Sequence, residues 1–221
     1  MLTKFLNITV IAEWITLFAA IILLKKKTGV WRLFIPFMFL TVCTEFIGSY
    51  ESIILKVKNN AMIFNFNMIV SVSFFIYLFS QADIFKKNKR TLMFIWLGFI
   101  GLALINLFFF QGLWIYNSYS ETIGDLILAL LSCYFYYSLL KEDEFRNLFQ
   151  DEYFWLATGL FFSSMGGVIL YIFLNQLQSF KDKTHINVYG YINYGLNLLL
   201  YSNLIIAFIC RRKNTKLLQA L

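Results

Sequence analysis

One histidine, one proline and three cysteines in 221 residues remove most site chemistry before any pattern is sought. A zinc site draws three or four ligands, mainly His and Cys, to close spacing, and the lone His185 in a polar connection supplies one. A serine nucleophile lacks its base in the same way. Cys43, Cys133 and Cys210 fall inside or at the end of apolar runs, as packing residues do. Pro36 sits near the start of an apolar run, where a missing N–H costs least, so the proline-broken helices of many transporters are not signalled. No glycine-rich cradle with a lysine is present to hold a phosphate. Charge is scarce as well: 14% of residues, against about 25% in soluble domains.

What fills the chain instead is apolar surface, 60% of residues with 26 Phe among them. It comes in seven runs, near 5–24, 33–54, 61–81, 91–110, 120–140, 153–174 and 188–210. Each is long enough to cross about 30 Å of hydrocarbon as a helix at about 1.5 Å per residue. Barrel strands would alternate apolar and polar over about ten residues, and FIWLGFIGLALINLFFF does not. The expected fold is all-α: a polytopic membrane protein with seven transmembrane helices in one domain, 1–221. Lys25, Lys26 and Lys27 follow the first run where a cleavage site would need small uncharged residues, so that run reads as a retained span.

The net charge of +7 has a sidedness that points to lipid. Alternate connections and the tail carry Lys25, Lys26, Lys27 and Arg32, then Lys86, Lys87, Lys89 and Arg90, then Lys141 and Arg146, then Arg211, Arg212, Lys213 and Lys216. The other side has Lys4, Lys56, Lys58, Lys181 and Lys183. This asymmetry places the N-terminus outside and the C-terminus inside. Basic clusters so placed set orientation and attract anionic headgroups, so the bilayer is the expected partner and nucleic acid is not. The Trp- and Tyr-rich connection QGLWIYNSYSE fits an aromatic belt at headgroup depth.

The polar residues within the spans carry the functional question. A carboxylate in hydrocarbon costs about 2.5–3.5 kcal/mol on insertion scales, yet LTVCTEFIGSYES places Glu45 inside the second run. Thr41, Thr44, Gly48 and Ser49 share its side of the helix, while Phe39, Val42 and Phe46 cover other faces. Glu13 stands on a similar stripe with Thr9, Thr16 and Ala20. Glu13 and Glu45 each lie about eight residues, roughly 12 Å, from the outer end of their spans. Asp125 joins them from the fifth span, ahead of Ala129, Ser132 and Tyr136. The amides Asn65, Asn67, Asn106, Asn193 and Asn197 occupy the same outer half. These eight residues are the expected binding site for a ligand or proton, in a polar cavity reached from outside. No Lys or Arg lies in the central part of any span, so the carboxylates must be protonated, hydrogen-bonded or neutralised by a cation. Gly159, Ser163 and Gly167, at four-residue intervals, read as a close helix contact.

The connections are short, leaving no room for a soluble catalytic domain. The longest one on the basic side, KEDEFRNLFQDE, spaces Phe145, Leu148 and Phe149 as an interfacial helix would, and is a candidate docking segment for a cytoplasmic partner, Lys141 to Glu152. Seven helices suit a retinal protein, but the last span has no lysine for the Schiff base. The motifs TEFIGSY, NFNMIVSVSFFIYLF and EYFWLATGLFFSS, in that order, resemble a group of seven-helix inner-membrane proteins of AT-rich Gram-negative bacteria. That resemblance implies an inner-membrane location and brings no activity. Three readings stand: a non-enzymatic sensor or receptor for a small or cationic external ligand, a proton- or cation-coupled carrier, and a structural subunit. The carrier needs a polar path to the inside, for which Tyr136, Ser138, Ser71, Ser73 and Asn203 are the available groups. No cofactor or metal is expected.

Overall fold

The computed structural model describes residues 8–24, 26–53, 60–141 and 147–220. Lys4, Lys25, Lys56, Lys58, residues 5–7 of the expected first span and residues 142–146 of the candidate docking segment, Phe145 and Arg146 included, lie outside the described residues.

The described chain is helical, with no strand among the described residues. In order, the α-helices are α1 Ile8–Leu23, α2 Phe34–Ile53, α3 Ala61–Gln81, α4 Lys89–Ile105, α5 Ser118–Leu140, α6 Glu152–Ile172, α7 Leu174–Thr184 and α8 Val188–Ala220. Six segments, built on α2 to α6 and α8, are long and apolar enough to cross a membrane, and α1 is a shorter apolar helix of 16 residues. Phe18, Phe39, Phe46, Phe66, Phe94 and Phe109 are all exposed around the bundle, an apolar surface that water would not tolerate and acyl chains would cover. The chain is a multi-pass helical membrane protein.

Several helix ends have a local reason. Pro36 is the third residue of α2, among the N–H groups that have no intrahelical partner in any case. Asp151 caps α6, its Oδ1 accepting from the Tyr153 and Phe154 N–H groups at 2.8 and 3.3 Å. That cap is why the candidate docking segment is not a surface helix in its described part: Leu148–Gln150 form one 3₁₀ turn and the chain then enters α6. The expected connection 174–185 is itself helical, as α7, and His185 closes it in the left-handed region (φ 58°), its N–H donating to the Lys181 carbonyl at 2.8 Å. α8 continues well past residue 210, carrying Arg211 and Asn214 beyond the expected span.

Packing arranges six helices in a closed ring, in the order α1, α2, α3, α5, α6, α8 and back to α1, with α4 outside against α3 and α5. α1 therefore stands across the ring from α5. Small residues allow the closest approaches. A Cβ at Gly159 would stand 2.9 Å from the Asn203 Cβ, and Gly166 lies against Leu196, both on the α6–α8 seam. The 3₁₀ arm Lys26–Leu33 joins α1 to α2 through Gly29, whose φ of 65° and ψ of −132° no side chain would favour. The arm delivers Trp31, 1% exposed, into the bundle.

Trp31 is one edge of an aromatic plug. Phe34 contacts five rings: Trp31 (centroids 5.4 Å), Phe37 (6.2 Å), Phe74 (5.0 Å), Phe75 (6.4 Å) and Phe208 (4.9 Å). These come from the arm, α2, α3 and α8, and they fill the ring at the level where α2 begins.

Candidate functional site

On the side of the plug toward which α1 begins, the six ring helices enclose a cavity of ≈ 310 Å³, and α4 contributes nothing to it. Glu13 enters from α1 and Glu45 from α2, with Thr9 and Thr41 one turn away from each. Glu13 is 2% exposed. Its Oε1 accepts a hydrogen bond from the Tyr201 hydroxyl of α8 at 3.0 Å, and its Oε2 is buried with no partner. Glu45 is close enough to Glu13 to act on it electrostatically.

The opposite wall carries the second acidic pair. Glu121 and Asp125, four residues apart on α5, present their carboxylates to the same cavity one turn apart. The Asp125 carboxylate occupies the space a Cβ on Gly167 would fill, and Ser164 of α6 stands beside it. Gly167 is thus a notch for Asp125, whereas Gly159 serves the helix contact expected of both. Glu121 Oε2 is buried without a partner, and the Tyr116 hydroxyl lies near this carboxyl group. The described lining contains no Lys, Arg or His. Among the described residues no three His, Cys, Asp or Glu groups converge as a metal ion would require.

The amides divide. Asn67, Asn193 and Asn197 line the cavity; Asn67 Oδ1 is unpartnered, and Asn197 Nδ2 donates to the Asn193 carbonyl at 2.9 Å. Asn65 and Asn106 are not among the lining residues, because the α4–α5 connection consumes their hydrogen bonds. Asn65 Nδ2 donates to the Ile115 carbonyl at 2.9 Å, and its Oδ1 accepts from the Asn117 N–H at 2.9 Å. Asn106, where α4 widens into a π turn, donates to Gln111, Asn117 and Ser120. This contrast yields a prediction. Asn65→Ala strands buried backbone groups and should cost roughly 1–3 kcal/mol, while Asn67→Ala, which breaks no hydrogen bond of its Oδ1, should leave the thermal midpoint near that of wild type.

Two tyrosines form the far wall. Tyr116, from the α4–α5 connection, and Tyr171, near the end of α6, stack at 6.0 Å with hydroxyls 3.0 Å apart. They are the two residues shared between the acidic cavity and a vestibule of similar volume, ≈ 330 Å³, beneath α7, lined also by Gln178, Lys181, Asn187 and Tyr189.

At the other end of the bundle, beyond the plug, a separate cavity of ≈ 570 Å³ shares no lining residue with the first. Its wall holds an ion-pair cluster. Arg211 Nη1 meets Glu152 Oε1 at 2.7 Å, and Arg211 Nε donates to the Thr28 carbonyl at 3.2 Å. Asn214 Nδ2 donates to Glu152 Oε2 at 2.6 Å and to the Gln150 carbonyl at 3.0 Å. Arg211 thereby ties the α1–α2 arm and α6 to the far end of α8.

Sequence reasoning brought Glu13, Glu45, Asp125, Asn67, Asn193 and Asn197 forward, and the fold gathers all six around one cavity. It missed Glu121, which sits four residues before Asp125 and so shares its face, and Tyr201, the next step of the Asn193, Asn197 series. Of the groups considered for an inward polar path, Ser71 alone lines the acidic cavity; Tyr136 instead donates to Thr158 at 2.9 Å and Asn203 to the Leu199 carbonyl at 2.8 Å. Comparison of the chain with protein-family models, with curated proteins and with solved structures finds no match.

Proposed function

We propose that this chain is a receptor-like, non-enzymatic protein of the inner (plasma) membrane that binds a small cationic ligand in the acidic cavity and reports its occupancy at the opposite end. One observation carries the reading: Glu13 is almost fully buried, Oε2 without a partner, in the wall of a cavity with three more carboxylates and no basic group among the described lining residues. A buried carboxylate in that position needs a proton or a cation, and a cavity leaves room for the latter. The basic-residue asymmetry assigns the cavity to the outer side, with the N-terminus outside. α8 is the element suited to carry the signal, since Tyr201 holds Glu13 and Arg211, ten residues and about 15 Å further on, holds Glu152. Phe149, 72% exposed beside that cluster, offers a cytoplasmic partner an apolar contact within the 141–152 segment.

The cavity at the basic end supports a second reading, a carrier with a chamber on each side of the aromatic plug. Opening it would require six packed rings to separate, so the receptor is favoured.

The test uses the whole chain in nanodiscs. Wild-type protein should gain thermal stability on titration with at least one member of a panel of organic ammonium and metal chlorides. The Glu13→Gln, Glu45→Gln double variant should keep a native midpoint and lose that gain. Unfolding of the variant, with no cation stabilising the wild type, would assign the carboxylates to helix packing. Cation-driven proton flux in wild-type liposomes would select the carrier.

A further inference from the structure

The four carboxylates of the cavity do not form one cluster. Glu13 and Glu45 sit together on α1 and α2, Glu121 and Asp125 sit together on α5, and α1 and α5 face each other across the ring. Within the pairs, Glu45 acts electrostatically on Glu13, and Glu121 on Asp125. One unpartnered, buried carboxylate oxygen belongs to each pair, Glu13 Oε2 and Glu121 Oε2. Between the pairs the lining is neutral, with the amides of Asn67, Asn193 and Asn197 and the rings of Tyr194 and Tyr201.

A single metal ion is a poor match for this division, because it draws its ligands to one point and no three acidic, His or Cys groups converge among the described residues. A monoamine satisfies one pair and leaves the other bare. We infer that the ligand is an organic dication of the aliphatic diamine class, one ammonium seated between Glu13 and Glu45 and the other between Glu121 and Asp125, with its methylene chain along the tyrosine rings. The inference rests on the reading of the cavity as a cation site and adds the ligand's two charged ends. The volume of ≈ 310 Å³ lies at the small end of ligand pockets and suits a short chain. Each ammonium has three donors for carboxylate oxygens and the cavity amides, and tyrosine faces attract cations and the methylenes beside them.

The experiment is isothermal titration of the nanodisc-embedded chain with 1,4-diaminobutane, 1-aminobutane and magnesium chloride. The diamine is expected to bind about tenfold or more tightly than the monoamine, since it gains a second charge-assisted contact. Glu13→Gln and Asp125→Asn, on opposite walls, should each bring diamine affinity down to the monoamine level. Where Glu13→Gln fails to fold, Glu45→Gln probes the same pair, and the wild-type ratio of diamine to monoamine affinity needs no variant. Equal binding of the monoamine or of magnesium, abolished by substitution at either wall, would overturn the dication inference and leave the cation site standing. Binding of none of the three would overturn the inference, and failure of the wider cation panel as well would take the cation site with it.

Discussion

Truncating Phe34 to alanine is expected to lower folding stability by about 3–5 kcal/mol, the range for a fully buried aromatic ring. Phe34 is 0% exposed and touches rings on the arm, α2, α3 and α8. Elements anchored this separately cannot collapse together into the space the ring leaves, so the void persists and the lost contacts are not recovered. The position of that void matters as much as its size. Phe37 and Phe75 line the acidic cavity and Trp31 lines the opposite one, with Phe34 and Phe208 fully buried in the same ring cluster. Phe34→Ala should therefore join the two cavities and let protons or small cations leak through liposomes that the wild-type chain keeps sealed. Phe34→Leu, which retains most of the bulk, should lose less stability and stay tight. A Phe34→Ala variant as stable and as tight as wild type would remove the plug from the account, and with it the preference for a receptor over a carrier.

On the proposed reading, a sealed floor would give ligand binding a mechanical consequence. An occupant held by carboxylates on opposite walls favours whichever ring geometry brings α1, α2 and α5 to the right separation, and it shifts the population by its difference in affinity for the two geometries. α8 is placed to transmit the change: it holds Glu13 through Tyr201 and forms long seams with α1 and α6.

The bundle was legible because hydrocarbon imposes a crude rule, about 20 apolar residues per crossing, and the runs in this chain are cleanly separated. The acidic site was partly legible for the opposite reason. Glu13, Glu45 and Asp125 violate the rule, and the face each occupies follows from helical period. What period cannot supply is which faces meet. Asn65 and Asn106 have the same depth and polarity as Asn67, yet they bond to the α4–α5 connection, a pairing made across 50 or so positions of sequence for Asn65 and hidden in a loop. The position of α4 outside the ring is likewise invisible, since its apolar residues read the same whether lipid or protein covers them. α7 escaped notice because LNQLQSFKDKT lacks the apolar content by which the other helices were found.

The cluster at the far end of α8 has no signature in the sequence, and breaking it is expected to be costly. Arg211→Ala leaves Glu152, with a side chain 9% exposed, holding a carboxylate that only Asn214 then satisfies. Removing one partner of a buried pair strands the other charge. Because Arg211 is 27% exposed and water can reach the gap, the expected loss is about 2–3 kcal/mol rather than the full buried-pair figure. Replacing both residues, as Glu152→Gln with Arg211→Ala, removes the stranded charge and should recover part of the loss, giving a coupling of about 1–2 kcal/mol in the double-mutant cycle. Additive single effects would show the pair to be incidental. The same variant tests the signalling role proposed for α8. If Arg211 sets the arm and α6 in a position that the cavity senses, then by linkage Arg211→Ala must change cation affinity at Glu13 severalfold, roughly 20 Å away, without touching the site. A destabilised variant that binds with wild-type affinity would separate the two ends of the molecule and confine the function to the cavity itself.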